Sequence, residues 1–182
     1  AEFTLSRKDP AYVGRAKAVR DRSEEVKAEV SRSQKILEEK YPEFKGRIEK
    51  AGLGSTIYAV KPGDGSAREQ AASCQRVLGA SANIASDYAT KRYRSNLINW
   101  GMIPFLYKQG DAAATENLPF ANGDYIFVPG AKKMIAEKLP GVKAYAVRAD
   151  GTTAEFDLAT GDMTDDERKI IQAGCLINFY RG

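Results

Sequence analysis

Apolar residues recur along the chain with two different periods, and the change between the periods divides the chain in two. From residue 11 to about residue 50, apolar side chains recur at steps of three, four and seven residues, which is the period of an α-helix. This stretch is rich in charge, so we expect a largely solvated helical arm that ends before Pro42. After Gly52 and Gly54 the pattern changes to short apolar runs separated by turn residues.

Short strands and helices are predicted to alternate over residues 51–182. The predicted strands are residues 55–60, 81–85, 124–128, 142–148, 152–158 and 175–179, and the predicted helices are residues 66–78, 87–100, 131–139 and 165–173. Asp150-Gly151 is typical of a hairpin turn. This order predicts a mixed-sheet α/β domain over residues 51–182, preceded by a helical connecting arm over residues 1–50.

Composition and charge exclude several classes of function. The chain has 182 residues, enough for a hydrophobic core without stapling groups. Its 28 Lys and Arg against 24 Asp and Glu give a net charge of +4, too small to require a nucleic acid partner. The apolar runs are too short for a membrane span. Histidine is absent, which excludes His general bases, Ser–His–Asp and Cys–His nucleophiles, and His-ligated metals.

The two cysteines, Cys74 and Cys175, have no CxxC neighbour. Two thiolates cannot by themselves hold a zinc ion or an iron–sulfur cluster. We therefore predict buried, inert thiols and a reducing, cytoplasmic compartment. The chain begins at Ala1 without an initiator methionine, which leaves a fragment of a longer protein and a complete subunit as open interpretations.

The segment of residues 63–69, Gly-Asp-Gly-Ser-Ala-Arg-Glu, joins a predicted strand to a predicted helix. Backbone N–H groups and the positive end of a helix dipole favour anion binding at such a turn. The positive charge of Arg68 is unfavourable at this positive end of the dipole unless its guanidinium binds a carboxylate or phosphate. The segment lacks the lysine of a P-loop, and Arg68 stands where a dinucleotide fingerprint needs its third glycine.

A purely structural interpretation of the same segment is available. Ser66 and Glu69 have the spacing of a capping box, in which each side chain hydrogen-bonds the other residue's backbone N–H. On spacing alone the capping box is the favoured interpretation. It does not exclude chemistry, because a capping hydroxyl lies beside the N–H groups that would stabilise an alkoxide.

Two blocks of sequence resemble a known family. Gly65-Ser66-Ala67-Arg68-Glu69-Gln70-Ala71-Ala72, followed by Arg76, Leu78 and Gly79, resembles the G-S-S-R-E-H-A…R-x-L-G signature of the swivelling domain of the aconitase family. Asn96-Leu97, Gly101, Met102-Ile103 and Pro104 resemble the N-L-x-x-x-G-L-L-P stretch that follows in that family. The blocks lie within residues 63–105, in the family's order and with compatible spacing.

The resemblance implies a β/β/α swivelling domain of a lyase, one that dehydrates and rehydrates a hydroxy di- or tricarboxylic acid. It implies that the [4Fe–4S] cluster of the complete hydratase is bound by three other domains, with no cofactor or metal in this chain. When the family's site residues are transferred to this sequence, the resemblance implies that Ser66 is the catalytic base and that Arg68 binds a substrate carboxylate. It also implies that Gly65 and Ala67 supply N–H groups to the substrate. The expected partners are the remaining domains and a small carboxylate substrate, with neither a membrane nor a nucleic acid.

The chain departs from the family pattern at several positions. Ala67 replaces the second serine of the signature, Gln70 replaces a histidine, and Asp64 adds a negative charge that we expect to disfavour a tricarboxylate. The D-x-x-[ST]-T-D-x-I motif that precedes the signature in the family does not occur in residues 1–62. We therefore expect that motif to lie upstream of Ala1 in a longer protein, or to have been lost.

Two other functions stay open. One is a free-standing small subunit of an isopropylmalate-type dehydratase, which the absent motif argues against. The other is a non-catalytic RNA- or protein-binding module with the same fold, using the basic segment of residues 91–94 together with Tyr88 and Tyr107. For that segment we predict instead a solvated basic face, with Tyr93 packed inward.

Overall fold

A computed structural model describes residues 9–108 and 117–181. The described strands are β1 (Ser55–Ala59), β2 (Ala80–Ala85), β3 (Ile103–Leu106), β4 (Tyr125–Phe127), β5 (Gly141–Val147) and β6 (Thr153–Ala159). The described α-helices are α1 (Tyr12–Arg20), α2 (Glu24–Lys40), α3 (Arg68–Val77), α4 (Lys91–Asn99), α5 (Ala131–Glu137), α6 (Asp165–Ala173) and α7 (Leu176–Arg181). Short 3₁₀ turns at Pro42–Phe44 and Ile48–Lys50 lie between α2 and β1.

The strands form one sheet in the order β1-β2-β3-β6-β5-β4. β1, β2 and β3 are parallel, as their connections through α3 and α4 require, whereas β6, β5 and β4 are antiparallel. The two halves meet at a single antiparallel pair, Leu106 with Ala159. The predicted mixed-sheet α/β fold is confirmed.

The sheet is covered by apolar clusters. On the parallel half, Ala72 of α3 and Tyr93 and Leu97 of α4 are buried with Ala80 and Met102. A larger cluster combines strand residues such as Phe105, Phe156 and Leu158 with Met134 and Ile135 of α5. The first of these clusters fixes α3 and α4, and therefore the loops that precede them, against the parallel strands.

The predicted helical arm is present and ends at Lys40, before Pro42, as expected. Its apolar stripe is not solvated throughout, because Leu37 and Phe44 pack against Tyr145 and Val147 of β5. Helix α2 and the turn after it therefore lie on the antiparallel half of the sheet. The proposed division of the chain at residue 50 stays a prediction.

The strand predicted over residues 175–179 is wrong, since residues 176–179 lie in helix α7. Gly174, in the left-handed conformation with a φ of +86°, ends α6 and turns the chain away from the sheet. The Asn178 amide donates to the Ala173 carbonyl at 2.9 Å, and Ile177 and Tyr180 are 60% and 79% exposed. The alternation of apolar residues resembled a strand, but no sheet edge pairs with it among the described residues.

The predicted strands do not include β3, because Pro104 is typical of a break after the helix predicted over residues 87–100. Proline lacks the N–H that a central strand needs on both sides. β3 tolerates Pro104 because β6 pairs with β3 only at Leu106, so one side of the strand needs no ladder hydrogen bond at Pro104.

Among the described residues, each helix is too short or too polar to traverse a lipid bilayer.

Candidate active site

The loop of residues 60–67 leaves the carboxyl end of β1, beside the loop that leaves the carboxyl end of β2. Two backbone hydrogen bonds join the loops: the Asp87 N–H donates to the Val60 carbonyl at 3.0 Å, and the Ala89 N–H donates to the Pro62 carbonyl at 2.9 Å. In open α/β sheets, ligands bind at the carboxyl ends of parallel strands. The segment singled out from the sequence therefore lies at the edge where a ligand site is expected.

The predicted capping box is wrong. α3 begins at Arg68 rather than near Ser66, and its N-cap is Ala67, whose side chain makes no capping hydrogen bond. The reason is tertiary: the Glu69 carboxylate accepts the Trp100 indole N–H at 2.6 Å. Ser66 is exposed in the loop, and its hydroxyl makes no hydrogen bond to any residue that the structure describes.

The loop before α3 has backbone N–H groups without protein acceptors. Gly65, Ser66 and Ala67 are exposed, and their N–H groups donate to no residue within 9–108 and 117–181. They precede a helix of ten residues, whose dipole places partial positive charge at this end. The arrangement can bind an anion through backbone donors.

Gly63 fixes the position of the loop. Its φ is +98°, a conformation that other residues rarely adopt, and an added Cβ would lie 2.4 Å from the Cβ of Tyr93. Its carbonyl accepts two hydrogen bonds, from Arg68 Nε at 3.1 Å and from Thr90 Oγ1 at 3.0 Å. Both the conformation and the close contact exclude a side chain here.

Arg68 is half-buried at the start of α3, with its guanidinium held by the Gly63 carbonyl through Nε. Its Nη1 and Nη2 make no hydrogen bond or ion pair with the part of the chain that the structure describes. A guanidinium presents parallel N–H groups that match the two oxygens of a carboxylate. The sequence anticipated this residue but not the carbonyl that orients it.

Glu69 joins the two blocks of sequence that resemble the aconitase family. Besides accepting the Trp100 indole N–H, it contacts the side-chain amide of Asn96 on α4. The Asn96 amide oxygen accepts the Glu69 N–H at 3.0 Å, and its nitrogen donates to the Glu69 carboxylate at 3.1 Å. Sequence reasoning missed this role, since neither Asn96 nor Trp100 is close to Glu69 along the chain.

Tyr93 supports the loop from inside the domain. It is 2% exposed, and its hydroxyl accepts hydrogen bonds from the side-chain amides of Gln75 and Asn83, each at 2.9 Å. Burial raises the pKa of Tyr93 above its usual value, and the two amides act in the opposite direction. The ring that contacts Gly63 is therefore fixed by α3 and β2 together.

The sequence profile of the family described as the aconitase C-terminal domain matches residues 15–110, more than half of the chain. The chain belongs to this family. The resemblance stated from the two sequence blocks is confirmed. The match also extends back over α2 and most of α1, in front of the segment that carried the resemblance.

Curated relatives of this aconitase-family chain include two bacterial enzymes. Aconitate hydratase A of Rickettsia felis is 30% identical over 124 residues, covering 68% of this chain and 14% of that protein. Aconitate hydratase A of Mycobacterium avium is 31% identical over 119 residues, covering 64% of this chain and 12% of that protein. The chain thus spans a small part of the length of the relatives it matches.

Among solved structures, the chain is similar to a crystal structure of 3-isopropylmalate dehydratase from Methanocaldococcus jannaschii. The sequence identity is 24% and the TM-score is 0.48. The similarity covers 75% of this chain and 69% of that one.

Aconitase-family enzymes imply a [4Fe–4S] cluster, which the described residues do not fit. Such a cluster needs several thiolates. Cys74 lies on α3 and Cys175 lies between α6 and α7, and the described part of the chain contains no group of three or more residues able to hold a metal ion. Both thiols are half-buried rather than fully buried, which corrects the predicted burial.

The basic segment of residues 91–94 does not present its aromatic side chain to solvent. Tyr93 is buried, as predicted, and Tyr88 donates its hydroxyl to the Phe105 carbonyl at 3.0 Å. Arg94 forms an ion pair with Glu167 at 3.3 Å and donates to the Asp162 carbonyl at 2.6 Å. The exposed part of the segment is reduced to Lys91 and Arg92.

Proposed function

We propose that this chain forms one wall of the active site of an aconitase-like hydro-lyase. In this proposal Ser66 is the base and Arg68 binds a carboxylate of a hydroxy di- or tricarboxylic acid. The observation that carries it is the placement of Ser66 outside α3, with its hydroxyl free of a capping role and beside backbone N–H groups without acceptors. Membership of the aconitase C-terminal domain family supports the reaction class.

A serine acts as a base only when its alkoxide is stabilised. Hydrogen bonds to the charged form and nearby positive charge both lower the pKa of an acid. The N–H groups of Gly65 and Ala67, the dipole of α3 and the guanidinium of Arg68 offer both effects at this loop. The replacement of the family's second serine by Ala67 removes a hydroxyl but keeps the backbone N–H.

In the dehydration direction, the Ser66 alkoxide takes the proton from the substrate carbon. The electron pair of the broken C–H bond forms the carbon–carbon double bond as the neighbouring C–O bond breaks, and the hydroxyl leaves as hydroxide, which takes up a proton from another domain to become water. In hydration, the Ser66 hydroxyl returns the proton to carbon. Arg68 holds the substrate by a carboxylate, so that the C–H bond faces Ser66.

The rest of the active site is proposed to lie in other domains or subunits of a cytoplasmic enzyme, which would also bind the iron–sulfur cluster. Residues 51–182 would be the swivelling domain, and residues 1–50 the arm that connects it. The exposure of residues 64–67 supports this arrangement, because an open surface becomes a site only when another domain covers it.

Kinetics of the complete enzyme test the proposal. Ser66→Ala should lower kcat by about 10²–10⁴-fold, because the step loses its base. Arg68→Ala should mainly raise KM for the carboxylate substrate. Ser73→Ala is the matched control, since Ser73 lies on the same helix and its hydroxyl only donates to the Gln70 carbonyl. Turnover near wild type in Ser66→Ala would reject the assignment of the base.

A titration of the chain itself tests the anion site. Citrate should shift the NMR signals of residues 63–69 with a millimolar Kd, about −4 kcal/mol, since only half of the pocket is present. Arg68→Ala should abolish these shifts, and Lys91→Ala should leave them in place. Shifts confined to Lys91 and Arg92 would instead favour a binding module that uses the basic face.

A further inference from the structure

Thr90 and Arg68 donate to the same oxygen. The Gly63 carbonyl accepts Thr90 Oγ1–H at 3.0 Å and Arg68 Nε–H at 3.1 Å. Arg68 is the first residue of α3, and Thr90 is the N-cap of α4. The two helices therefore meet at one carbonyl group of the loop that precedes α3.

The Thr90 hydroxyl uses its proton and a lone pair in different bonds. It accepts the Tyr93 N–H at 3.2 Å, which caps α4, and it donates to the Gly63 carbonyl. A hydroxyl has one proton and two lone pairs, so the two bonds are compatible. Helix capping requires only that Thr90 accept, and the donation to Gly63 is additional to it.

The hydrogen bond from Thr90 to the Gly63 carbonyl is the last one, in chain order, between the loop after β2 and the loop that precedes α3. Backbone bonds tie the chain to the β2 loop as far as the Pro62 carbonyl. Between Gly63 and Ala67, the other hydrogen bonds that the described residues provide come from α3 alone, from Arg68 Nε–H to the Gly63 carbonyl and from the Ala71 N–H to the Ala67 carbonyl. Glycine at positions 63 and 65 makes the backbone permissive, so the orientation of the Gly63 carbonyl depends on the Thr90 hydroxyl.

We propose that Thr90 is a positioning residue for Arg68. By fixing the Gly63 carbonyl, it fixes the acceptor of Arg68 Nε and so directs Nη1 and Nη2 to the substrate carboxylate. This inference rests on the proposed function of Arg68. Thr90 itself touches neither the carboxylate nor the reacting carbon.

Three variants of the chain separate positioning from capping. Thr90→Val has a similar shape but loses both bonds, whereas Thr90→Ser keeps both. Thr164→Val is the matched control, because Thr164 caps α6 in the same way, accepting the Glu167 N–H at 3.2 Å. A folded spectrum of each variant is required first.

Citrate titration followed by NMR gives the first measurement. Loss of preorganisation weakens binding, so Thr90→Val should raise the Kd by about fivefold or more. Thr90→Ser and Thr164→Val should stay within about twofold of wild type, since both keep the hydroxyl beside Gly63. In the complete enzyme, Thr90→Val should raise KM more than it lowers kcat. Equal weakening in Thr90→Val and Thr164→Val would overturn the inference.

The Arg68 Nε–H signal gives a second measurement that needs no ligand. It should exchange slowly with water in wild type and Thr90→Ser, and faster in Thr90→Val. Unchanged exchange in Thr90→Val would overturn the inference even if citrate binds. If wild type binds no citrate at residues 63–69, the proposed anion site fails, while this signal still decides whether Thr90 positions Arg68.

Discussion

Glu69 accepts the indole N–H of Trp100 at 2.6 Å, and this contact joins α3 to the end of α4. The two residues are 31 positions apart, one in each block of the family resemblance. Because its carboxylate binds Trp100, Glu69 does not accept a hydrogen bond from the backbone at the start of its own helix. The loop that carries Ser66 is left as irregular backbone with exposed N–H groups.

Trp100→Phe should destabilise the chain while preserving much of the ring packing. The variant loses the hydrogen bond to the Glu69 carboxylate, and we expect the free energy of unfolding to fall by about 1–2 kcal/mol. Urea unfolding measures this change. In a double-mutant cycle with Glu69→Ala the two effects should be non-additive, and strictly additive effects would show that the contact contributes nothing.

Gly63→Ala and Gly65→Ala should differ although they lie two residues apart. At Gly63 the φ of +98° and the contact with Tyr93 predict a loss of about 1–3 kcal/mol in unfolding free energy. At Gly65 an added Cβ meets nothing within 4 Å, so the change should stay within about 1 kcal/mol. Thermal unfolding compares them directly, and equal losses would contradict the close contact at Gly63.

Stability should fall at alkaline pH, partly through Tyr41. Burial, followed by the hydrogen bond to Glu155, raises the pKa of Tyr41 from 10.0 to about 12. The unfolded chain therefore loses this proton at lower pH than the folded chain does. The stabilising contribution is fully present below pH 10 and is lost as the pH rises through about 12.

The pH dependence is tested by urea unfolding at several values above neutrality. Tyr41→Phe should make the decline in unfolding free energy above pH 10 shallower than in wild type. Tyr180→Phe serves as the comparison, because Tyr180 is 79% exposed. An identical slope in Tyr41→Phe and wild type would contradict the shifted pKa.

Anaerobic reconstitution with iron and sulfide should leave the isolated chain without a stoichiometric cluster. The chain has two cysteines, and a cluster in this family requires at least three thiolates. Absorbance in the visible sulfur-to-iron band measures the outcome. A full complement of cluster would overturn the assignment of its ligands to other domains.

Much of the architecture could be predicted because it depends on local patterns. Helix α6 spans the predicted residues 165–173, and it begins with a capping box formed by Thr164 and Glu167. The Asp150-Gly151 turn joins β5 to β6 as expected. Where the local preference of a segment agrees with its tertiary surroundings, the sequence is sufficient to predict the element that forms.

The errors arise where a distant partner overrides a local preference. Ser66 and Glu69 have the spacing of a capping box, yet Trp100 takes the carboxylate. Residues 175–179 alternate like a strand but find no sheet edge among the described residues. Such competition cannot be read from spacing, because the free energy of each alternative depends on groups that only folding brings together.

By itself, the sequence determined the fold class, the family resemblance and the choice of Ser66 and Arg68 as candidate site residues. Only the tertiary structure decided that Ser66 lies outside the helix, and that the Gly63 carbonyl joins Arg68 to Thr90. The physical reason is that residue types and spacings specify which hydrogen bonds a segment can form, whereas packing of α3 against α4 selects which of them form.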